Sequence, residues 1–190
     1  MARPRSRGAD RERSPARYLY CAAVIGLGGL AAFAAWQWLR PGAPAAPAAE
    51  SRAPAPDFTA GLLGGGGFTL SQQRGSPVLI LFTASWCSPC IPEVNKMAQL
   101  QNDFGGRGLR QLVLSVDPSD TEAEFAGLRQ RTTGANLLWA LDQGQKATLA
   151  YRIQATDTKV LVDARGREAF RSVGPTPLET LRQHLSALLL

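Results

Sequence analysis

Apolar residues recur along this chain in three patterns, and the changes between them mark its segments. Tyr18–Leu39 is a run of 22 residues without a charge, Gln37 being its most polar member. As a helix rising about 1.5 Å per residue it spans roughly 33 Å, enough for a hydrocarbon core of about 30 Å. Tyr18 and Tyr20 stand at one end and Trp36 and Trp38 at the other, as an aromatic belt requires. Arg40–Pro56 then holds five prolines and seven alanines, a composition that favours extended conformers and cannot bury a core. From Asp57 onward, short apolar runs of strand length alternate with segments of helical period.

Within that third region, Phe58–Leu63 and Phe68–Leu70 flank four glycines, Gly64 to Gly67, and read as a hairpin. Val78–Phe82 has the length and the large or β-branched residues of a buried strand. Ile91–Phe104 carries a helical pattern stopped by Gly105-Gly106. Leu109–Val116 predicts the next strand, ended by Asp117-Pro118-Ser119. Ser119 and Glu122 fit a capping box for a helix over Asp120–Arg131. A strand over Leu137–Leu141, a helix over Gln143–Tyr151, a strand pair Lys159–Asp163 and Ala169–Val173, and a closing amphipathic helix Leu178–Leu189 follow. The alternation indicates an α/β domain over residues 57–190 with a mixed sheet.

Charge refines the organisation. The formal net charge is +6, but residues 1–17 hold six arginines against Asp10 and Glu12, while residues 57–190 hold 13 basic and 12 acidic residues. The basicity belongs to the tail, the domain has no charge excess demanding an anionic partner, and nucleic-acid binding is not expected. Residues 1–17 read as a disordered cytoplasmic tail, 18–39 as an uncleaved anchor and 40–56 as a linker. A cleaved signal peptide competes with the anchor, although its apolar core usually runs to only about 7–15 residues. With the arginines inside, the domain faces out of the cytoplasm, where disulfides persist. Cys21 reads as a small apolar residue in the bilayer.

The domain's two cysteines lie at the end of the buried strand, in Phe82-Thr83-Ala84-Ser85-Trp86-Cys87-Ser88-Pro89-Cys90. At a helix start Cys87 meets unpaired backbone N–H groups that favour a thiolate, and Cys90, one turn on, is able to close a disulfide with it. Pro89 falls where a missing N–H costs nothing. A zinc half-site is the competing reading, but beyond Cys21 the chain offers only His184, which reads as an ordinary surface or packing residue. No cofactor is called for.

Strand, Trp-Cys-Ser-Pro-Cys and helix together resemble the thioredoxin superfamily, most closely the membrane-anchored TlpA/ResA-type thiol-disulfide oxidoreductases. Glu93, three residues after Cys90, matches an acidic position common in that group. The resemblance implies a thioredoxin-like three-layer fold, with Trp86 bordering the site. It also implies extracytoplasmic partners whose thiols or disulfides are exchanged, for instance in cytochrome c or copper-centre assembly, and a membrane electron donor or acceptor for the dithiol. Trp139 reads as core.

Two departures stand out. Such proteins place a cis-proline opposite the dithiol, where this chain has Asp157 within Tyr151-Arg152-Ile153-Gln154-Ala155-Thr156-Asp157-Thr158-Lys159. A cis bond before a non-proline residue costs about 2.5–4 kcal/mol, so Thr156–Asp157 is expected to be trans. If that loop packs beside the motif, a carboxylate would face Cys87 and oppose its thiolate, or relay protons. The plainer reading is weakened partner docking. Leu81, six residues before Cys87, stands where thioredoxin itself has a buried aspartate as proton acceptor, which leaves Glu93 as the candidate or as a first-turn acid favouring the helix dipole. The leading expectation is an oxidoreductase. A Sco-like copper chaperone, suggested by Ser115-Val116-Asp117-Pro118, and an interaction protein with weak turnover are the alternatives.

Overall fold

The computed structural model describes residues 53–189. The basic tail, Cys21, the Tyr18–Leu39 segment and most of the linker lie outside them. Among the described residues no helix is long and apolar enough to cross a membrane.

Seven strands form one mixed sheet: β1 (Thr59–Leu62), β2 (Gly67–Thr69), β3 (Val78–Thr83), β4 (Arg110–Ser115), β5 (Leu138–Leu141), β6 (Thr158–Val162) and β7 (Glu168–Val173), in spatial order β2-β1-β5-β4-β3-β6-β7. β3 pairs parallel with β4, and β4 with β5, while β6 lies antiparallel on the other side of β3. Every residue of β3 is buried, which is why this strand reads as a continuous apolar run and not as an alternation. Its side chains nevertheless divide by the two-residue period of a strand. Leu79 and Leu81 join one core with Val113, Trp139 and Leu161, against the helices α1 (Ile91–Phe104), α2 (Glu122–Gln130) and α4 (Leu178–Leu188). Val78, Ile80 and Phe82 join the other with Leu112, Leu114 and Val160, covered by Phe58, Tyr151 and Ala147 of α3 (Lys146–Ala150). This is a thioredoxin-like α/β fold.

The β1–β2 hairpin turns through Gly64, Gly65 and Gly66 at φ of +88°, +103° and +88°, a conformation open to glycine at no steric cost. Three boundaries differ from the sequence expectation, each for a local reason. The cap of α2 is Thr121, whose side chain accepts from the Glu124 N–H while the Glu124 carboxylate accepts from the Thr121 N–H. Ser119 is occupied instead, its N–H and hydroxyl both donating to Asp117 Oδ1. The Gln143–Tyr151 helix begins only at Lys146, because Gly144 and Gln145 adopt positive φ. Ala53–Pro56, linker by composition, pack on the domain: Pro54 bridges Arg167, Ala55 is buried, and Tyr151 Oη donates to the Pro56 carbonyl at 2.9 Å.

Candidate functional site

The sheet delivers the chain at the C-terminal end of β3 into the loop Ala84–Cys87, and a 3-10 turn over Ser88–Cys90 leads into α1. Cys87 and Cys90 form a disulfide with their Cα atoms 5.4 Å apart. Cys87 is 3% exposed and Cys90 is 0% exposed, so the pair sits just below the surface with Cys87 outermost. Trp86 beside it is 63% exposed, and Pro89 lies exposed in the turn.

The approach to Cys87 is held by the segment that follows β4. Asp120 accepts from the Ser85 N–H at 2.8 Å and the Ser85 hydroxyl at 2.6 Å, and also from the Ser115 hydroxyl. Trp86 Nε1 donates to Asp117 Oδ2 at 2.7 Å, and Arg131 donates to the Ser85 carbonyl at 2.9 Å. Hydrogen bonds from Ser119 and then Trp86 hold the Asp117 carboxyl below its usual range.

Behind the dithiol lies a buried charge cluster. Glu93 is 1% exposed, on the first turn of α1. Its Oε1 accepts from Lys96 Nζ at 2.6 Å and its Oε2 from Lys159 Nζ at 3.0 Å. Lys159 is fully buried in β6, opposite Leu81 in register. It also donates to Asp157 Oδ1 at 2.5 Å and to the Gly174 carbonyl at 3.0 Å. Gly174, at φ +78°, brings that carbonyl inward. Lys96 donates to the Thr176 carbonyl, and the Thr176 N–H donates to Glu93. Burial works to raise the Glu93 pKa, but hydrogen bonds from Lys96 and Lys159, with the Lys159 charge, outweigh it and the carboxyl is held below its ordinary range. For Asp157 the balance reverses: burial, helped by the negative charge of Glu93, raises its pKa against the pull of Lys159. A cluster of this kind strengthens every interaction inside it, and removing one member is costly.

No peptide bond among the described residues is cis, so Thr156–Asp157 is trans as expected. Asp157 takes φ +62°, a left-handed conformation that aspartate tolerates better than most residues. Its carboxylate meets Lys159. The side chain that meets the dithiol is its neighbour's: the Thr156 hydroxyl lies 3.6 Å from Cys87 Sγ, and because a disulfide sulfur carries no proton the hydroxyl is the one of the two able to donate. An open groove of about 430 Å³ has Trp86, Ile153, Ala155 and Thr156 among its walls, and so reaches the residues on either side of Cys87: its chain neighbour and its hydroxyl contact. His184 stacks on Phe170, ring centroids 4.1 Å apart. Among the described residues no group of three or more metal-ligating side chains is gathered.

Sequence reasoning missed Thr156, Asp120 and Lys159. For Lys159 a signal was present: a lysine opening the apolar run Val160-Leu161-Val162, with an aspartate two residues before it as a candidate partner. Thr156 and Asp120 carry no such mark, since a loop threonine or aspartate looks alike whatever it touches.

Residues 52–170 match the AhpC/TSA family. The thiol-disulfide oxidoreductase ResA of Bacillus thuringiensis (strain Al Hakam) is 27% identical over 135 residues, covering 70% of this chain and 76% of the relative. The thioredoxin-like protein YneN of Bacillus subtilis (strain 168) is 26% identical over 132 residues, 69% of this chain and 76% of that one. Among solved structures, a protein from Chlorobium tepidum assigned as the thiol:disulfide interchange protein DsbE superposes with a TM-score of 0.66 at 26% identity, over 73% of this chain and 96% of its own. With a Cys-x-x-Cys disulfide at the head of α1, this chain belongs to the AhpC/TSA family and is a thiol-disulfide oxidoreductase of the TlpA/ResA type within the thioredoxin superfamily.

Proposed function

We propose that the protein is a membrane-tethered oxidoreductase that acts outside the cytoplasm on protein disulfides, with Cys87 as nucleophile and Cys90 as resolving thiol. The observation that carries the assignment of roles is the pair's placement: Cys87 outermost, against the Thr156 hydroxyl and next in sequence to Trp86 on the groove wall, and Cys90 fully enclosed at the start of α1. The Cys87 thiolate attacks one sulfur of the partner disulfide, and the partner's other sulfur leaves as a thiolate and takes up a proton. Cys90, deprotonated, then attacks Cys87 Sγ and releases the partner's first sulfur. The partner disulfide has gained two electrons, and the pair ends in the oxidised form seen here. A membrane electron donor returns it to the dithiol.

The tether rests on the uncharged Tyr18–Leu39 segment and the six arginines before it. Alkaline phosphatase fused after Pro56 is expected to be active; an inactive fusion there overturns the topology. For the chemistry, Cys90→Ser in the full chain traps mixed disulfides with partner proteins, while Cys87→Ser traps almost none. The opposite pattern reverses the two roles.

A further inference from the structure

Asp157 and Lys159 occupy the loop and strand that face the dithiol, and neither is used by the exchange reaction itself. They are joined by an ion pair of 2.5 Å between two buried side chains. Lys159 is anchored in turn to α1 through Glu93 and to the turn after β7 through the Gly174 carbonyl, while the Gly174 N–H donates to the Asp157 carbonyl at 2.9 Å. Thr158 donates its hydroxyl back to the Ala155 carbonyl at 2.8 Å. The residue enclosed by these contacts is Thr156, whose hydroxyl reaches Cys87 Sγ. A proline ring would fix a backbone at such a place covalently; here a salt bridge holds a left-handed aspartate instead.

We propose that the Asp157–Lys159 ion pair, braced by Glu93, is a positioning clamp that keeps the Thr156 hydroxyl on the Cys87 sulfur, where it stabilises the thiolate of the reduced enzyme. A hydroxyl that donates to the charged form of an acid favours that form, and donation to an ionised acceptor is worth more than a neutral hydrogen bond. Thr156 touches the reacting atom; Asp157 and Lys159 act through it. The charged groups facing the clamp are Glu93 and Lys96 from α1, with backbone carbonyls of Gly174 and Thr176 from the β7–α4 connection.

A direct electrostatic role for Asp157 predicts the opposite sign, which makes the clamp testable. A carboxylate acting through its charge raises the Cys87 pKa, so its removal lowers that pKa. A carboxylate acting through Thr156 lowers the Cys87 pKa, so its removal raises it. Asp157→Gly keeps the left-handed backbone and removes the anchor, whereas Asp157→Asn removes the charge but leaves an amide oxygen for Lys159.

The measurement is the pH profile of iodoacetamide alkylation at Cys87, read by mass spectrometry of its peptide so that Cys21 and Cys90 do not contribute, on the reduced full chain. Thr156→Val is expected to raise the apparent pKa by about one unit, which slows alkylation about tenfold below that pKa. Thr156→Ser restores the wild-type profile. Asp157→Gly matches Thr156→Val, Asp157→Asn gives a smaller rise, and neither adds to the shift already present in a Thr156→Val background. A fall in pKa for either Asp157 variant, superimposable curves, or a rise that persists in the Thr156→Val background overturns the clamp. Lys159→Met is the reciprocal arm; where it does not fold, the Asp157 variants decide. The inference rests on Cys87 being the attacking thiol, but alkylation needs no partner protein. Failure of the clamp therefore leaves mixed-disulfide trapping intact, and failure of the role assignment shows in the trapping alone.

Discussion

Two supports flank the dithiol and do the same job by different physics. On the β3–α1 side, the Ser85–Trp86 loop hangs from Asp117, Asp120 and Arg131 by hydrogen bonds that are exposed or half-buried. On the β6 side, the Thr156–Asp157 loop hangs from Lys159, which water does not reach. The first support is a set of bonds that water replaces at modest loss when one is cut. The second is a group of charges already stripped of water, in which each member depends on the others. Local geometry near solvent degrades gradually, and buried charge fails all at once.

The largest test of that contrast is Lys159→Met. It leaves the Glu93 and Asp157 carboxylates buried without their shared ammonium, and the expected cost is about 3–5 kcal/mol in urea unfolding of the oxidised chain. A loss below about 1 kcal/mol would mean that the cluster is open to water and the contrast is false. Asp120→Ala comes next. It strips the acceptor from the Ser85 N–H and from the hydroxyls of Ser85 and Ser115, for an expected loss of about 1–3 kcal/mol; a loss equal to that of Lys159→Met erases the distinction.

The pH dependence is subtler and its sign is fixed. Because the fold holds the Glu93 pKa below its ordinary 4.5, the stabilisation from its ionised form is complete above that value and is lost as pH falls through the lower folded one. The stability gap between wild type and Glu93→Gln should therefore narrow as pH is lowered through 4.5. A gap that widens on acidification contradicts the arrangement. Asp157, whose pKa is raised, works with the opposite sign: its contribution is present below its ordinary 3.8 and is lost as pH rises through its folded value. Smallest of all is Trp86→Phe, which removes one surface hydrogen bond to Asp117 and is expected to cost less than about 1 kcal/mol. A larger drop in thermal stability would make the exposed support as demanding as the buried one.

The two supports also differ in how far they could be read beforehand. The helix over Ile91–Phe104 has the bounds that its apolar spacing and the following glycines predict. The strand at Val78 and the hairpin around Gly64–Gly67 were equally legible. Glu93 was noticed for its spacing from Cys90, but the sequence left open a first-turn acid that merely favours the helix dipole, and the structure buries it between two lysines. The α2 cap slipped by two residues because two overlapping candidates, Ser119 with Glu122 and Thr121 with Glu124, satisfy the same local rule. Asp117 decides between them by engaging Ser119.

By itself, then, the sequence determined what is local: strand and helix periods, the glycine turns, the placement of Cys87 and Cys90 across one turn of backbone, and the division of the chain into an uncharged segment, a proline-rich stretch and a domain. These follow from side-chain spacing along a covalent chain, which needs no partner to act. Only the tertiary structure decided that Lys159 of β6 meets Glu93 of the helix packed on that face and that Thr156, 69 residues from Cys87, supplies the hydroxyl at its sulfur. Burial and pairing are properties of the neighbours a fold brings together, and a lysine or threonine reads identically in sequence whether it faces water, a carboxylate or a reactive sulfur.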